Sequence, residues 1–302
     1  MAYLFADTGF NMDQIDLSKL FRYGTWSGLY DNTYESYNGI TYPDVFEVDW
    51  SYDMVSLFCG QSITTDYYGN ITGGTVTGYL EAEYVGGDLY QNWGIQGIAL
   101  SASALYRCAT TSSTSDEKSM ISAALSGADT FELSDYADVA SGYNGNDKIY
   151  GYAGSDRLSG GSGNDYLSGG AGNDSLKGDR GMDTLWGGSG CDVLDGGSDS
   201  SRDIFIFDLA SETRPGSSNR DLVQNFKHGI DDIDLRVMDA KTSLYGDQAF
   251  GFSGTSARAN SVWYADVGSD LIVRGDVNGD KVADFEILLK GVQSLSASDF
   301  LL

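Results

Sequence analysis

The 302 residues carry 44 acidic against 18 basic side chains, a formal net charge of −26, which excludes nucleic acid as a partner. The length leaves room for two or three domains, and forty glycines and two prolines beside twenty tyrosines and thirteen phenylalanines predict a mostly β protein. No apolar run reaches the length of a membrane-spanning helix. The opening stretch, 1–14, lacks the basic n-region and long apolar h-region of a secretory signal peptide.

In chain order, the first strand signal lies in 40–58, where Phe46, Val48 and Trp50 alternate with Glu47, Asp49 and Ser51. Residues 74–85 and 93–106 also read as strands, broken by glycine-containing turns. Residues 115–125 predict a short helix, with Ser115 as N-cap and Ile121, Ala124 and Leu125 apolar. Residues 1–123 are thus expected to form a small antiparallel β domain, a sandwich, ending in that helix. Glu47-Val-Asp49-Trp50 is similar to the Glu-x-Asp strand of lichenase-type β-glucanases, which makes Glu47 and Asp49 candidate catalytic carboxylates of a polysaccharide-active hydrolase. Two departures stand against that likeness: the third carboxylate would fall at best on Asp53, and the region is too short for that family's jelly roll. Alternating acids also occur on any solvated strand face. Thirteen of the twenty tyrosines lie in 1–123. Several sit in polar loop segments, where they offer stacking area for sugar or protein, although tyrosine also simply fills strands. Cys59 and Cys108 both follow β patterns and are candidates to pair, while Cys191 falls on a turn.

Six nonapeptides then run without a gap from Gly142 to Asp195: GYNGNDKIY, GYAGSDRLS, GGSGNDYLS, GGAGNDSLK, GDRGMDTLW and GGSGCDVLD. Position 1 is always Gly, and position 4 is Gly145, Gly154, Gly163, Gly172, Gly181 and Gly190. Position 6 is Asp147, Asp156, Asp165, Asp174, Asp183 and Asp192, and position 8 is Ile149 followed by five leucines. This is the period of a calcium-binding parallel β-roll. Glycine permits a tight turn whose carbonyls face an ion, and Asp adds a hard carboxylate oxygen of the kind Ca²⁺ takes in sixes to eights. The x-U-x half is a three-residue strand with its aliphatic side chain inward. Two nonapeptides make one coil, so aspartates 18 apart stack along one edge and share several Ca²⁺ ions. One aliphatic per nine residues buries little against the ordering of so many glycines, so calcium is expected to be needed for folding. Worn repeats flank the block: 124–132 keeps Gly127, Asp129 and Phe131, 133–141 keeps Asp138 and Ala140, and after Gly196-Gly197 the next aspartate, Asp203, arrives two residues late. The roll is expected over 124–205.

The repeats resemble those of RTX (hemolysin-type) proteins, and the layout of 1–123 resembles the short N-terminal β domain found on many bacterial members. From about 206 onward, the segments 220–235 (RDLVQNFKHGIDDIDL), 246–250 (GDQAF), 275–287 (GDVNGDKVADFEI) and the ending Asp299-Phe300-Leu301-Leu302 resemble the C-terminal domain of serralysin-type proteases. That resemblance implies an extracellular protein sent out through a type I (ABC) exporter on an uncleaved C-terminal signal that includes Asp299, with 206–302 as a sandwich-like export domain. The protease itself is excluded, because its zinc motif needs three histidines and the chain has only His228, read as a turn residue before Gly229. No Gly-x-Ser-x-Gly elbow occurs, so a lipase is not expected either. Asp276, Asn278, Asp280 and Asp284 take positions 1, 3, 5 and 9 of an EF-hand-like loop. Lys281 and Ile287 replace its glycine and bidentate glutamate, and a hairpin through Asn278-Gly279 is the expectation. The chain thus reads as a secreted, non-enzymatic calcium-binding protein whose first domain recognises a surface polysaccharide or a protein.

Overall fold

The computed structural model describes residue 119 and residues 121–242 and 248–302 throughout, together with the main chain of eight strands between residues 3 and 101. Two compact units make up the chain, Met1–Leu133 and Ser134–Leu302. The first contains β1 (Tyr3–Ala6), β2 (Thr25–Tyr30), β3 (Glu35–Tyr37), β4 (Ile40–Tyr42), β5 (Asp44–Asp49), β6 (Met54–Thr65), β7 (Ile71–Val85), β8 (Asp88–Ser101) and β9 (Thr130–Glu132). Strands β2-β5-β6-β7-β8-β1-β9 lie in that order in one sheet, antiparallel except where β1 runs alongside β9. The pair β3-β4 stands apart from it. Among the described residues this is one large sheet and a small hairpin, where a sandwich was expected. The expected 40–58 strand is spread over β4, β5 and the start of β6. Of the predicted helix, 121–124 is helical and closes with the Leu125 amide on Ile121 O at 2.9 Å. Its Ser115 cap, the side chains of Glu47 and Asp49, and the Cys59–Cys108 pairing lie outside the described residues.

The second unit is a parallel roll. Its strands are β10 (Val139–Ser141), β11 (Lys148–Tyr150), β12 (Arg157–Ser162), β13 (Tyr166–Ala171), β14 (Ser175–Arg180), β15 (Thr184–Ser189), β16 (Val193–Asp195), β17 (Ile204–Ile206), β18 (Asp221–Gln224), β19 (Asp232–Asp234), β20 (Gly251–Phe252), β21 (Ser261–Val267), β22 (Asp270–Gly275), β23 (Phe285–Leu289) and β24 (Phe300–Leu301). One sheet has the order β11-β13-β15-β17-β19-β24, the other β10-β12-β14-β16-β18-β23-β22-β21-β20. The x-U-x strands run longer than expected: β12 to β15 each continue for six residues, through position 3 of the following repeat.

Register is set by the single aliphatic of each repeat, since a slip would carry it out of the core. Ile149, Leu167, Leu185, Phe205, Ile233 and Phe300 follow one another in the first sheet. Ala140, Leu158, Leu176, Leu194, Val223 and Leu289 do so in the second. All twelve are buried. The parallel ladder therefore continues beyond Asp195 into the last hundred residues, where larger side chains such as Phe205 and Phe300 take the aliphatic place. The antiparallel strands β21, β22 and β23 then extend the second sheet. The 276–284 segment joins β22 to β23 as a hairpin loop, as expected. Buried Asp276 organises it by accepting from the amides of Asn278, Gly279 and Lys281 at 2.7–3.0 Å.

Candidate metal centre

Each repeat turn is shaped by its glycines. Position 4 has φ between +122° and +159° in all six repeats, a region that side-chain-bearing residues avoid. Position 2 is left-handed as well, including the non-glycine residues Tyr143, Tyr152 and Asp179. The position-1 glycines serve a different purpose. A Cβ on Gly142, Gly151, Gly160, Gly169, Gly178 or Gly187 would collide with Oδ2 of the aspartate five residues on, so glycine here makes room for a carboxylate folded over its own turn.

The aspartates stack along two edges. On one edge the amides of Asp147, Asp165, Asp183 and Asp203 donate to Oδ1 of Asp165, Asp183, Asp203 and Asp231. On the other, the amides of Asp138, Asp156, Asp174 and Asp192 donate to Oδ1 of Asp156, Asp174, Asp192 and Asp221. These bonds span 2.8–3.0 Å. The late aspartate, Asp203, holds the same place as the others. Asp221 and Asp231 join the rows from 29 and 28 residues away, and the repeat period did not reveal them. A second ladder also went unforeseen. The position-5 side chains of Asn146, Asn164 and Asn173 accept from the amides of Asn164, Met182 and Cys191 at 2.8–2.9 Å. Cys191 itself is half-buried, its Sγ 3.2 Å from Arg220 O, because the 220–221 segment packs over a turn that the sequence leaves open.

Oδ1 is thus used in inter-coil bonding. Oδ2 of Asp156, Asp165, Asp174, Asp183, Asp192 and Asp203 is buried and meets no hydrogen-bond donor. Six buried anionic oxygens without a donor are costly unless a cation neutralises them. Burial pushes the carboxyls of Asp156, Asp183, Asp192 and Asp203 up to about 7 and that of Asp221 to about 8, and stacked carboxylates add to the rise. Asp165 and Asp174 shift upward for the same first cause. Among the described residues no three acidic, His or Cys side chains come together as a metal cluster, so main-chain carbonyls must supply most of the ligands. Such carbonyls are at hand: Gly160 O, Gly169 O and Gly187 O, each from the next coil, border the space beside the position-1 glycines. Oxygen-only surroundings of this kind fit a hard divalent cation. Asp129 is buried, in the first unit. Asp138 is also buried but differs from the repeat aspartates, its Oδ2 accepting from the Ser134 amide and hydroxyl, both at 2.9 Å.

The period and these turns agree with one known type. Residues 124–201 carry RTX calcium-binding nonapeptide repeats. The family model matches over 124–158, 132–167 and 168–201. The ion of these turns is Ca²⁺. Solved structures that align with the chain include two subunits of the Azotobacter vinelandii mannuronan C5-epimerase. AlgE6R3 is 23% identical over 58% of this chain and 78% of its own, with a TM-score of 0.23. AlgE6R2 is 20% identical over 58% and 88%, also with a TM-score of 0.23. The extracellular lipase LipA from Serratia marcescens is 17% identical over 59% of this chain and 40% of its own, with a TM-score of 0.25. Scores this low support no common overall arrangement. No curated protein matches the chain.

At the far end of the chain, His228 lies in a turn, as expected, with Nδ1 2.8 Å from Oδ2 of Asp299. Asp299 is fully buried and also accepts from the amides of Gly229 and Ser296, both at 2.6 Å. These bonds outweigh burial and hold its carboxyl below the usual range. No helix among the described residues is long and apolar enough to cross a membrane.

Proposed function

We propose that this chain is a secreted protein that folds when it meets extracellular calcium. The row of buried, donor-less Oδ2 atoms along the roll is the observation that carries this reading. Calcium is scarce inside cells and abundant outside, so turns that require it stay open before export and close after it. In this reading the carboxylates of Asp147, Asp156, Asp165, Asp174, Asp183 and Asp192 and the turn carbonyls, including those of the position-4 glycines, hold the ions. Residues 206–302 act as a serralysin-like export domain for a type I exporter, and residues 1–123 recognise a surface polysaccharide or a protein.

Asp174→Asn tests the metal role. Asparagine keeps an acceptor for the Asp156 amide but removes the charge, so the calcium concentration at half-folding should rise roughly tenfold while the fold at saturation is unchanged. An unshifted calcium titration followed by circular dichroism would remove Asp174 from the metal site. The recognition role is tested on a glycan array, with the calcium-loaded chain compared with the same chain in chelator. Calcium-dependent binding to a defined glycan is expected, and its absence would turn the search to protein ligands.

A further inference from the structure

Inside the two rows each aspartate, from Asp156 to Asp203, is tied on both sides. Its Oδ1 accepts from the coil before it, and its own amide donates to the coil after it. Asp221 and Asp231 come last in their rows and have no following aspartate. The Asp231 amide turns back to Lys227 O of its own turn at 3.0 Å, and the Asp221 amide goes to Oγ1 of buried Thr213 at 2.9 Å. Whatever holds these two residues in register with the rows therefore comes from outside the repeats.

Two buried carboxylates, Glu286 in β23 and Asp299 just before β24, do so by the same pattern. Each takes one main-chain amide and one basic side chain from a terminal turn 66–71 residues earlier. Glu286 Oε2 accepts from the Gly216 amide at 3.0 Å and from Arg220, the residue before Asp221, at 3.2 Å. Asp299 Oδ1 accepts from the Gly229 amide at 2.6 Å, and its Oδ2 lies 2.8 Å from Nδ1 of His228. Both carboxylates are also anchored on their own side: Arg274 Nε donates to Glu286 Oε1 at 2.9 Å, and the Ser296 amide to Asp299 Oδ2 at 2.6 Å. Beside Glu286 the main chain adds a second tie. The Thr213 hydroxyl that receives the Asp221 amide donates on to Glu286 O, and the Glu286 amide donates to Thr213 O at 2.9 Å. Groups that orient the residues around a metal, without touching it, set how tightly it is held.

We propose that Glu286 and Asp299 are positioning residues of the metal rows, one for each edge: Glu286 fixes Asp221 as the acceptor for the Asp192 amide, and Asp299 fixes Asp231 as the acceptor for the Asp203 amide. Each edge is closed at its carboxy end by its own carboxylate clamp, and the two clamps act independently. The proposal rests on the calcium reading of the roll.

Hydrogen exchange of single amides, read by NMR on the full-length chain at saturating calcium, separates the two clamps. Asp299→Asn should speed exchange of the Asp203 amide on the order of tenfold and leave that of Asp192 unchanged, and Glu286→Gln should do the reverse. A merely structural role would speed both amides alike in each variant. That result, or no change at either amide, overturns the proposal. Both variants should also raise the calcium concentration at half-folding followed by circular dichroism, and an unmoved midpoint in both overturns the link to the metal. Should either variant not fold at any calcium concentration, His228→Gln and Arg220→Gln take their place, since each removes one grip and leaves the carboxylate its main-chain partners. The same split between Asp203 and Asp192 is expected of them, and its absence overturns the proposal equally. A wild-type chain whose Asp192 and Asp203 amides exchange alike with and without calcium sinks the calcium reading itself, a result distinct from calcium-protected amides that the variants leave unsplit.

Discussion

Stripped of calcium by a chelator at neutral pH, residues 134–302 are expected to lose their folded β structure, and acidifying the metal-free chain toward pH 4 is expected to restore much of it. Burial raises the carboxyls of Asp156, Asp183, Asp192 and Asp203 from 3.8 to about 7 in the folded chain. A group whose folded value lies above its unfolded one binds protons more tightly when folded. Its contribution to stability is therefore complete below the unfolded value of 3.8 and is lost as the pH climbs through about 7. Without metal, the roll loses stability as the pH rises to and past neutral, since several buried carboxylates must then ionise side by side. Calcium reverses this. Each site held at a hundredfold excess over its dissociation constant adds ~2.7 kcal/mol, and three or four such sites equal the whole stability of an ordinary domain, about 5–15 kcal/mol. Far-UV circular dichroism from pH 4 to 8, with and without chelator, is the measurement. A metal-free signal that stays native and level across that range would show that the donor-less oxygens need no cation.

Gly163→Ala is expected to be among the most damaging single methyl additions in the chain. Gly163 has φ +138°, and a Cβ there would overlap the Gly145 carbonyl of the neighbouring coil. That carbonyl belongs to the main chain and cannot turn aside. Backbone strain of ~1–3 kcal/mol and overpacking of similar size place the loss at ~2–6 kcal/mol, enough to open the coil. Gly229 supplies the control: its φ is +78°, but nothing lies within 4 Å of an added Cβ, so Gly229→Ala should cost only ~1–2 kcal/mol. Urea midpoints at saturating calcium decide between them. Equal losses for the two variants would mean that coils 18 residues apart are not in the close contact described.

The spacing of Asp147 to Asp192 and of Ile149 to Leu194 was sufficient to read the roll, because both side chains recur at a fixed interval and each interval is one physical unit. Where the interval breaks, legibility ends. Asp221 and Asp231 occupy the same stacked places as the repeat aspartates, but excursions of variable length carry the chain to them, and no period marks their arrival. The position-5 asparagines were in view from the start. They vary to Ser155, Met182 and Cys191, and since the bond needs only a side-chain acceptor on one of two stacked turns, the variation hid the ladder. In the first unit the alternation around Phe46 correctly marked a strand, but alternation says nothing of whether a second sheet faces it.

The eight aspartate bonds between coils all point one way, with the amide on the amino-terminal coil and the carboxylate on the carboxy-terminal one. The stack is therefore a polar filament in miniature, with unlike ends. Within the aspartate rows alone, removing its first coil frees a carboxylate oxygen. Removing its last, which carries Asp221 and Asp231, strips the acceptors from the buried amides of Asp192 and Asp203, at ~1–3 kcal/mol each. A chain that is made, or threaded through a pore, amino end first shows its donors long before the matching acceptors arrive. Such a chain settles each coil only once the next has emerged, and the last two bonds of the stack wait for Asp221 and Asp231.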